Sequence, residues 1–447
     1  PLCAGAAAAA PAVEAFTDRG LRVLAIAGRP LGVGDGRAVP TTAAEAESGL
    51  RLLGVVALED PPRDDVDAAI DACRRAGIRV AMITGDHPAT AAAIATEVGL
   101  HRGDAPVISG ADLPADDVEL GGLLDRDGIV VARVSPEDKL RIARSLRARG
   151  HVVAMTGDGV NDGPALHEAD IGIAMGRSGT DVAREAADLV LLDDHFATIV
   201  AGVEQGRATF ANIRRFLTYH LTDNVAELTP FVVWALSGGR FPLALGVLQI
   251  LALDIGTDTL SAVALGAEPP AAHVLDQPPV SGRLLNRTVG RRAFGVLGPT
   301  EALMSMVAFV LSFVAMGWRP GESFPGGATA AAASGAAFIA VVLGQVANAF
   351  ACRSSTRSPG TLGWTSNRLL IPAVGAGLTI SLAMLLVGPV AHELGQAAPP
   401  LVGWLVALLA PAAVLGVDAL DKRRHRRSPA RAPAGPAPVR TGGAGSA

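Results

Sequence analysis

Residues 155–164 read MTGDGVNDGP, with two aspartates and three glycines in the eight residues from Gly157 to Pro164. That composition is a poor way to build a mere loop. Asp158 stands between Gly157 and Gly159, where a backbone without Cβ atoms lets a ligand approach and an exposed carboxylate can reach a hard cation. Mg2+ combines carboxylate with phosphate oxygens, so Asp158 is the expected magnesium ligand. Asp162 follows at an expected helix start, placed to support the same ion or to orient water, and Asn161 offers a hydrogen bond to a phosphate or nucleotide.

The stretch closes a β-branched run, and such runs recur. GVVALEDPP and IRVAMITGD bracket the helix-like DDVDAAIDACRRAG, IVVARVSP and HVVAMTGDG bracket EDKLRIARSLRARG, and ADIGIAMG and ADLVLLDD follow at similar spacing. Repeated βα units predict an α/β fold with a doubly wound parallel sheet. Ligands bind such sheets at the carboxyl ends of the strands, which here carry Thr84, Gly85 and Asp86, then Arg133, then Thr156 to Asp162. Thr84 and Gly85 offer a hydroxyl and a backbone N–H to a phosphoryl group. Lys139 is one of two lysines, the other being Lys422, in a chain that otherwise uses arginine. A compact ammonium beside a phosphoryl group is a reason for that choice. Taken singly, TGD is an ordinary strand-ending turn and SPED an ordinary helix cap. Their order along one sheet edge favours chemistry.

Beyond about Tyr219 the character of the chain changes. The 447 residues are 50% hydrophobic but 4% aromatic, and the mean hydropathy of +0.37 is too apolar for a soluble protein of this size. Long apolar runs begin with FLTYHLTDNVAELTPFVVWAL (Phe216–Leu236) and FPLALGVLQILALDIGTDTLSAVALGA (Phe241–Ala267), and four more follow. Six membrane spans are expected. Arg283, Arg287, Arg291 and Arg292 follow the second span, Arg353, Arg357 and Arg368 the fourth, and DKRRHRR the sixth. Positive loops stay inside, which makes the soluble half and the C-terminus cytoplasmic. The net charge of -5 suggests no nucleic-acid partner, and Cys3, Cys73 and Cys352 form neither a disulfide framework nor a thiolate metal site.

Acidic residues inside apolar spans mark ion paths, because a carboxylate at mid-membrane costs roughly 2.5–3.5 kcal/mol. Asn224 and Glu227 share a helix face in the first span, and Asp254, Thr257 and Asp258 share one in the second. These oxygen-bearing side chains predict a site for a transported cation. Asn and Thr alone would serve equally as glue between helices, a role that does not suit three carboxylates.

MITGDHPATAAAIATEVGL, VARVSPEDKLRIARSL and MTGDGVNDGPALHEADIGIAMG together resemble the phosphorylation domain of P-type cation-transporting ATPases, members of the haloacid dehalogenase superfamily. GLRVLAIAGRPL (Gly20 to Leu31) resembles the end of that family's nucleotide-binding domain, and LEDPPR (Leu58 to Arg63) the entry back into the phosphorylation domain. The resemblance implies that Arg22, Arg63, Thr84, Gly85, Asp86, Arg133, Lys139 and Asn161 contact ATP or its phosphates, with Asp158 holding Mg2+ and Asp162 beside it. NVAELTPF and DIGTD resemble the ion-coordinating segments of calcium and sodium/potassium pumps, and Gln345 and Asn348 in GQVANAF fall where such pumps place a further ligand. The implied division is residues 1–50 as the end of a nucleotide-binding domain, 51–210 as a partial phosphorylation domain, 211–420 as a six-helix transport domain in the lipid bilayer, and 421–447 as a basic, then disordered tail.

The family carries its phosphate on the Asp of a DKTGT motif, and neither DKTGT nor a related D-x-x-G-T occurs in these residues. The resemblance therefore implies an N-terminal portion bearing that Asp. The expected function is that of the C-terminal part of an ATP-driven pump of the cell membrane, with Ca2+ favoured over Na+ or K+. The alternative is a non-catalytic split or decayed pump subunit that binds cations or a partner chain without hydrolysis. Without the nucleophile, the sequence leaves open whether this chain alone is an enzyme.

Overall fold

The computed structural model describes residues 3–30, 42–58, 61–279 and 283–426. They fall into two compact units, Pro1–Gln205 with Ala272–Val280, and Gly206–Ala271 with Ser281–Ala447.

The first unit contains three small sheets. β1 (Cys3–Ala4), β2 (Arg22–Gly28) and β3 (Leu50–Leu58) form a mixed sheet with β3 in the middle, packed with α1 (Ala6–Asp18). β4 (Met82–Ile83), β5 (Val107–Ser109) and β6 (Val130–Ala132) pair in parallel in the order β4-β6-β5, and β7 (Ala154–Gly157), β8 (Ile171–Met175) and β9 (Leu189–Leu191) pair in parallel in sequence order. Between them run α2 (Val66–Arg75), α3 (Pro88–Glu97), α4 (Asp117–Leu124), α5 (Pro136–Ala148), α6 (Gly163–Glu168) and α7 (Asp181–Ala186).

The parallel βα logic is present, but the expected single doubly wound sheet is not. β4 and β7 each stand at the end of a sheet, bonded on one side, and no described strand joins them. A parallel pairing needs a run of backbone donors and acceptors, and the two residues of β4, paired on one edge with Val130 and Val131 of β6, are too few to offer such a run on the other. Side chains link the halves instead. Ile83 packs both against the Leu120, Ile129, Val131 and Ile142 core and against the Met155, Ala165 and Leu166 core.

Local chemistry sets the helix starts. Ser135 Oγ accepts the Asp138 N–H at 3.1 Å while Asp138 Oδ2 accepts the Ser135 N–H at 2.9 Å, so SPED is a capping box with Pro136 in the first turn. This cap fixes where α5 begins and thereby aims Lys139.

The second unit is helical. α8 (Phe196–Leu236) begins in the first unit and continues into the second. α9 (Val247–Gly266), α10 (Arg287–Ala315), α11 (Ala328–Cys352) and α13 (Leu401–Arg426) include four helices long and apolar enough to cross a membrane. α12 (Leu370–Leu386) is apolar but has 17 residues. α8 from Phe216 onward interleaves Thr218, Thr222, Asp223, Asn224 and Glu227 with apolar residues and falls short of the same apolarity. α11 is the innermost span, its Ala- and Gly-rich face letting α10 and α13 come close, with Phe309, Phe313 and Phe338 filling the core. α9 and α10 each contain a π-helical turn, at Asp254–Asp258 and Ala293–Leu297. α13 runs through Arg426, so DKRRHRR begins as helix, while residues 427–447 lie outside the described residues.

Several arginines that mark loops in the sequence are in fact buried ion-pair partners. Arg353 is fully buried and binds both oxygens of Glu268, at 2.7 Å from Nη2 to Oε1 and 3.1 Å from Nε to Oε2. Arg292 meets Asp418 at 2.8 Å, and Lys422 meets the other oxygen of Asp418 at 2.5 Å.

Candidate functional site

In the first unit the expected residues collect at the carboxyl ends of β4, β6 and β7. Thr84 leaves β4 with its N–H on the Val131 carbonyl, its hydroxyl donates to Asp86 Oδ2 at 3.1 Å, and Thr84 Oγ1 in turn accepts the Asp86 N–H at 3.1 Å. Arg133 lies just past β6 in a left-handed conformation, φ 52°, and its N–H reaches the Asp86 carbonyl at 3.0 Å. That unusual backbone brings Thr84, Gly85, Asp86 and Arg133 into one loop pair. The chain from Arg133 enters α5, where Lys139 Nζ meets Asp162 Oδ1 at 2.6 Å. Asp162 Oδ2 accepts the Gly159 N–H at 3.1 Å. A Cβ on Gly157 would lie 2.5 Å from Asp162 Cβ, so only glycine lets this turn close.

Asp162 is thus buried and engaged, while the neighbouring Asp158 is exposed and its carboxylate meets no described donor. One free carboxylate at a glycine-flanked strand end fits Mg2+, which is held by one or two protein carboxylates together with phosphate oxygens and water. Asn161 and Arg63 are exposed, without a side-chain hydrogen bond among the described residues. Arg22 opens β2, but its side chain, like Leu31, Glu59 and Asp60 of the two flanking segments, lies outside the described residues.

In the second unit, α8, α9, α10 and α11 bring a set of buried polar side chains together. Gln345 Nε2 donates to Glu227 Oε1 at 3.0 Å and to Asp258 Oδ2 at 3.2 Å. The Tyr219 hydroxyl lies 3.4 Å from Asp258 Oδ1, and Asn348 Nδ2 donates to Asp223 Oδ1 at 2.9 Å. Thr257 lies 3.3 Å from Asp258 Oδ1 but bonds more closely to the Leu253 carbonyl, at 2.8 Å. Asp254, at the start of the π turn, is half-buried with Oδ1 unpartnered. It and Asp258 line a cleft of about 270 Å3 with Phe216 and His220, where His220, Asp254 and Asp258 each offer a ligand atom within 4.8 Å of the others. π turns recur at functional sites because the wider register re-aims side chains.

Two family descriptions match the chain: haloacid dehalogenase-like hydrolase over residues 9–170, and cation transporting ATPase, C-terminus, over residues 242–424. A probable cation-transporting ATPase F of Mycobacterium tuberculosis is 39% identical over 435 residues, covering 94% of this chain and 45% of that protein. A calcium-transporting ATPase of Bacillus subtilis is 39% identical over 378 residues, 84% of this chain and 40% of its own length. The sodium/potassium-transporting ATPase subunit alpha-A of Artemia franciscana is 40% identical over 304 residues, 62% of this chain and 30% of that protein. In both of its matched segments the chain is similar to cation-transporting ATPases.

The chain spans less than half the length of the curated relatives it matches. Of the cation ligands expected from its sequence, Glu227, Asp258, Thr257 and Gln345 converge, and Asp254 lines the adjoining cleft. Asn224 is half-buried and makes no side-chain hydrogen bond among the described residues, whereas the buried Asp223 beside it is tied to Asn348. Sequence reasoning missed Asp223, although Tyr219, Asp223 and Glu227 repeat at four-residue spacing. It also missed Glu301, the one acid in α10, fully buried. An ionisable residue alone in an apolar span was itself a signal.

Proposed function

We propose that this chain is the C-terminal part of an ATP-driven cation pump, coupling phosphorylation of an aspartate outside these residues to cation transport. The observation that carries the reading is the buried polar set. Asp223, Glu227, Asp258 and Glu301 are all buried, and no described Lys or Arg pairs with them. Asp223 Oδ2, Asp254 Oδ1, Gln345 Oε1 and both Glu301 oxygens meet no donor. At roughly 2.5–3.5 kcal/mol each, four mid-membrane carboxylates sum to roughly 10–14 kcal/mol, comparable to the whole stability of a domain. A bound cation offsets that cost. Oxygen donors and multiple carboxylates favour Ca2+, a hard ion wanting six to eight oxygens, over Na+ or K+.

At the phosphate edge, Thr84 and Gly85 present a hydroxyl and an N–H to the phosphoryl group, and Asp86 orients the Thr84 hydroxyl. Lys139, steered by Asp162, supplies a compact positive charge. Arg133, Asn161, Arg22 and Arg63 serve ATP and its phosphates. Asp158 would hold Mg2+, which neutralises charge on phosphate oxygens. The soluble residues 51–210 act as the phosphorylation domain. α8 to α13 make six crossings of the cell membrane, with the soluble half and the C-terminus cytoplasmic.

The reading is tested by equilibrium binding of 45Ca2+ and, in parallel, 22Na+ to the chain in lipid nanodiscs. Saturable binding that Asp258→Asn weakens at least about tenfold is expected from loss of one ligand charge. Absence of saturable binding of either ion to the wild-type chain would overturn it.

A further inference from the structure

The buried acids of the second unit are not equivalent. Glu227 and Asp258 share the Gln345 amide, at 3.0 and 3.2 Å, and Asp258 adds the Tyr219 hydroxyl. Glu301 is different. It is fully buried on α10, and neither carboxylate oxygen meets a donor. Its neighbours are Asp223 and Asp258, and it lies against the bare backbone of Gly344, whose added Cβ would sit 3.1 Å from Glu301 Cγ. Asp223 presents Oδ1 to Asn348 at 2.9 Å but leaves Oδ2 unpartnered.

Two buried carboxyl groups therefore face one another within hydrogen-bonding range, and no other described group donates to Asp223 Oδ2 or to either Glu301 oxygen. Water would solvate them at a surface, whereas here they are shielded from it, and burying unpaired charge is among the costliest arrangements a protein can hold. Oxygens without donors are what a hard cation coordinates. Glycine at position 344 preserves the space into which the Glu301 stem folds.

We propose that Asp223 and Glu301 hold a second cation, separate from the one gathered by Glu227, Asp258 and Gln345. With two carboxylates and three carboxylate oxygens that meet no donor, this position suits a divalent cation of the calcium class. The proposal rests on the pump reading above and adds to it a ligand contributed by α10.

The experiment counts bound ions. With 45Ca2+ at neutral pH, and 22Na+ in parallel, the chain in nanodiscs is expected to bind two ions. Glu301→Gln is expected to bind one, with the remaining affinity close to wild type, and Asp223→Asn combined with Glu301→Gln is expected to lose no more than either change alone. Glu227→Gln is expected to remove the other ion. Two ions bound by Glu301→Gln would overturn the proposal while leaving the pump reading intact. A single ion in the wild type, lost in both Glu227→Gln and Glu301→Gln, would also overturn it, since Glu301 would then belong to one shared site. No binding of either ion to the wild type would remove the pump reading as well. Thermal midpoints in EDTA report on folding independently. Glu301→Gln gives Asp223 an amide donor and is expected to hold or raise the midpoint without ions, and to gain less than wild type when Ca2+ is added. A lowered EDTA midpoint with unchanged binding would make Glu301 a protonated packing group and overturn the assignment.

Discussion

Lys139→Met tests the link between α5 and the glycine-rich turn. Lys139 Nζ and Asp162 Oδ1 are 2.6 Å apart, with side-chain exposures of 18% and 12%. Exposed pairs contribute about 0–1 kcal/mol and breaking a fully buried pair costs about 3–5 kcal/mol, so this partly buried pair should be worth about 2 kcal/mol. Removing Lys139 leaves Asp162 buried with the Gly159 N–H as its remaining donor. The first unit contains neither Trp nor Tyr, since Trp234, Trp318, Trp364, Trp404 and Tyr219 all belong to the second, so intrinsic fluorescence would miss the effect. Cys73 supplies the probe. It is buried in α2, and burial, followed by the charge of Asp127, raises its thiol pKa, so it should label slowly until the unit opens. A loss of about 2 kcal/mol should speed labelling of the Cys73 peptide about 30-fold, at tenfold per 1.4 kcal/mol, when opening is fast relative to labelling. Asp162→Asn should cost less, because the ammonium can reach water, and the double variant should resemble Asp162→Asn more than the sum. A Lys139→Met labelling rate within about twofold of wild type would refute the argument, since it would put the pair at the worth of an exposed one.

Other outcomes follow from equally specific contacts. Asp194 accepts backbone N–H groups from Arg177, Ser178 and Gly176, which hold its pKa down to about 2 against the backdrop of burial. A folded pKa below the unfolded value of about 3.9 stabilises above that value and is lost as pH falls toward 2. Wild type should therefore exceed Asp194→Asn in stability at pH 6 and converge with it near pH 2 in acid titrations followed by far-UV circular dichroism. Gly157→Ala places a Cβ 2.5 Å from Asp162 Cβ and should weaken Mg2+-dependent protection of the MTGDGVNDGP segment in hydrogen exchange, with unchanged protection counting against a tight turn there. Glu268→Gln leaves the buried Arg353 charge unpaired and should cost about 3–5 kcal/mol, whereas the paired change to Gln and Met should recover part of the loss in thermal midpoints.

Much of the soluble half was legible because βα alternation, capping boxes and glycine-flanked aspartates are local signals. SPED sits where the capping pattern puts it, and TGD and Arg133 end adjacent strands. The sheet was not legible as drawn, because alternation fixes parallel neighbours but not whether every strand joins one ladder. β4 and β7 end separate ladders, and among the described residues Ile83 packs against both of their cores. In the membrane half, identity outran geometry. Asp254, Thr257 and Asp258 were legible, but the π turn that separates Asp254 from the buried pair was not. Asn224 and Asp223 are adjacent, and helical periodicity alone did not choose between them. Tertiary contact did, through Asn348 on α11. Glu301 needed knowledge of which helices touch, a property that no single span encodes.

α8 also limits how the chain can change length. Within the second unit it is tied down at two heights, by Asn212 to the Gly266 and Glu268 carbonyls at 2.9 and 2.8 Å, and by Asp223 to Asn348 at 2.9 Å, with unbroken helix between. A helix turns about 100° per residue, so one residue inserted between Asn212 and Tyr219 would swing one anchor a quarter-turn or more past the other. Four inserted residues would return the angle to within about 40° but displace the acids by about 6 Å along the axis. Sequences built on this plan can therefore exchange the exposed side chains of α8, yet cannot add or drop a residue there, and length variation must fall in the turns that join the helices.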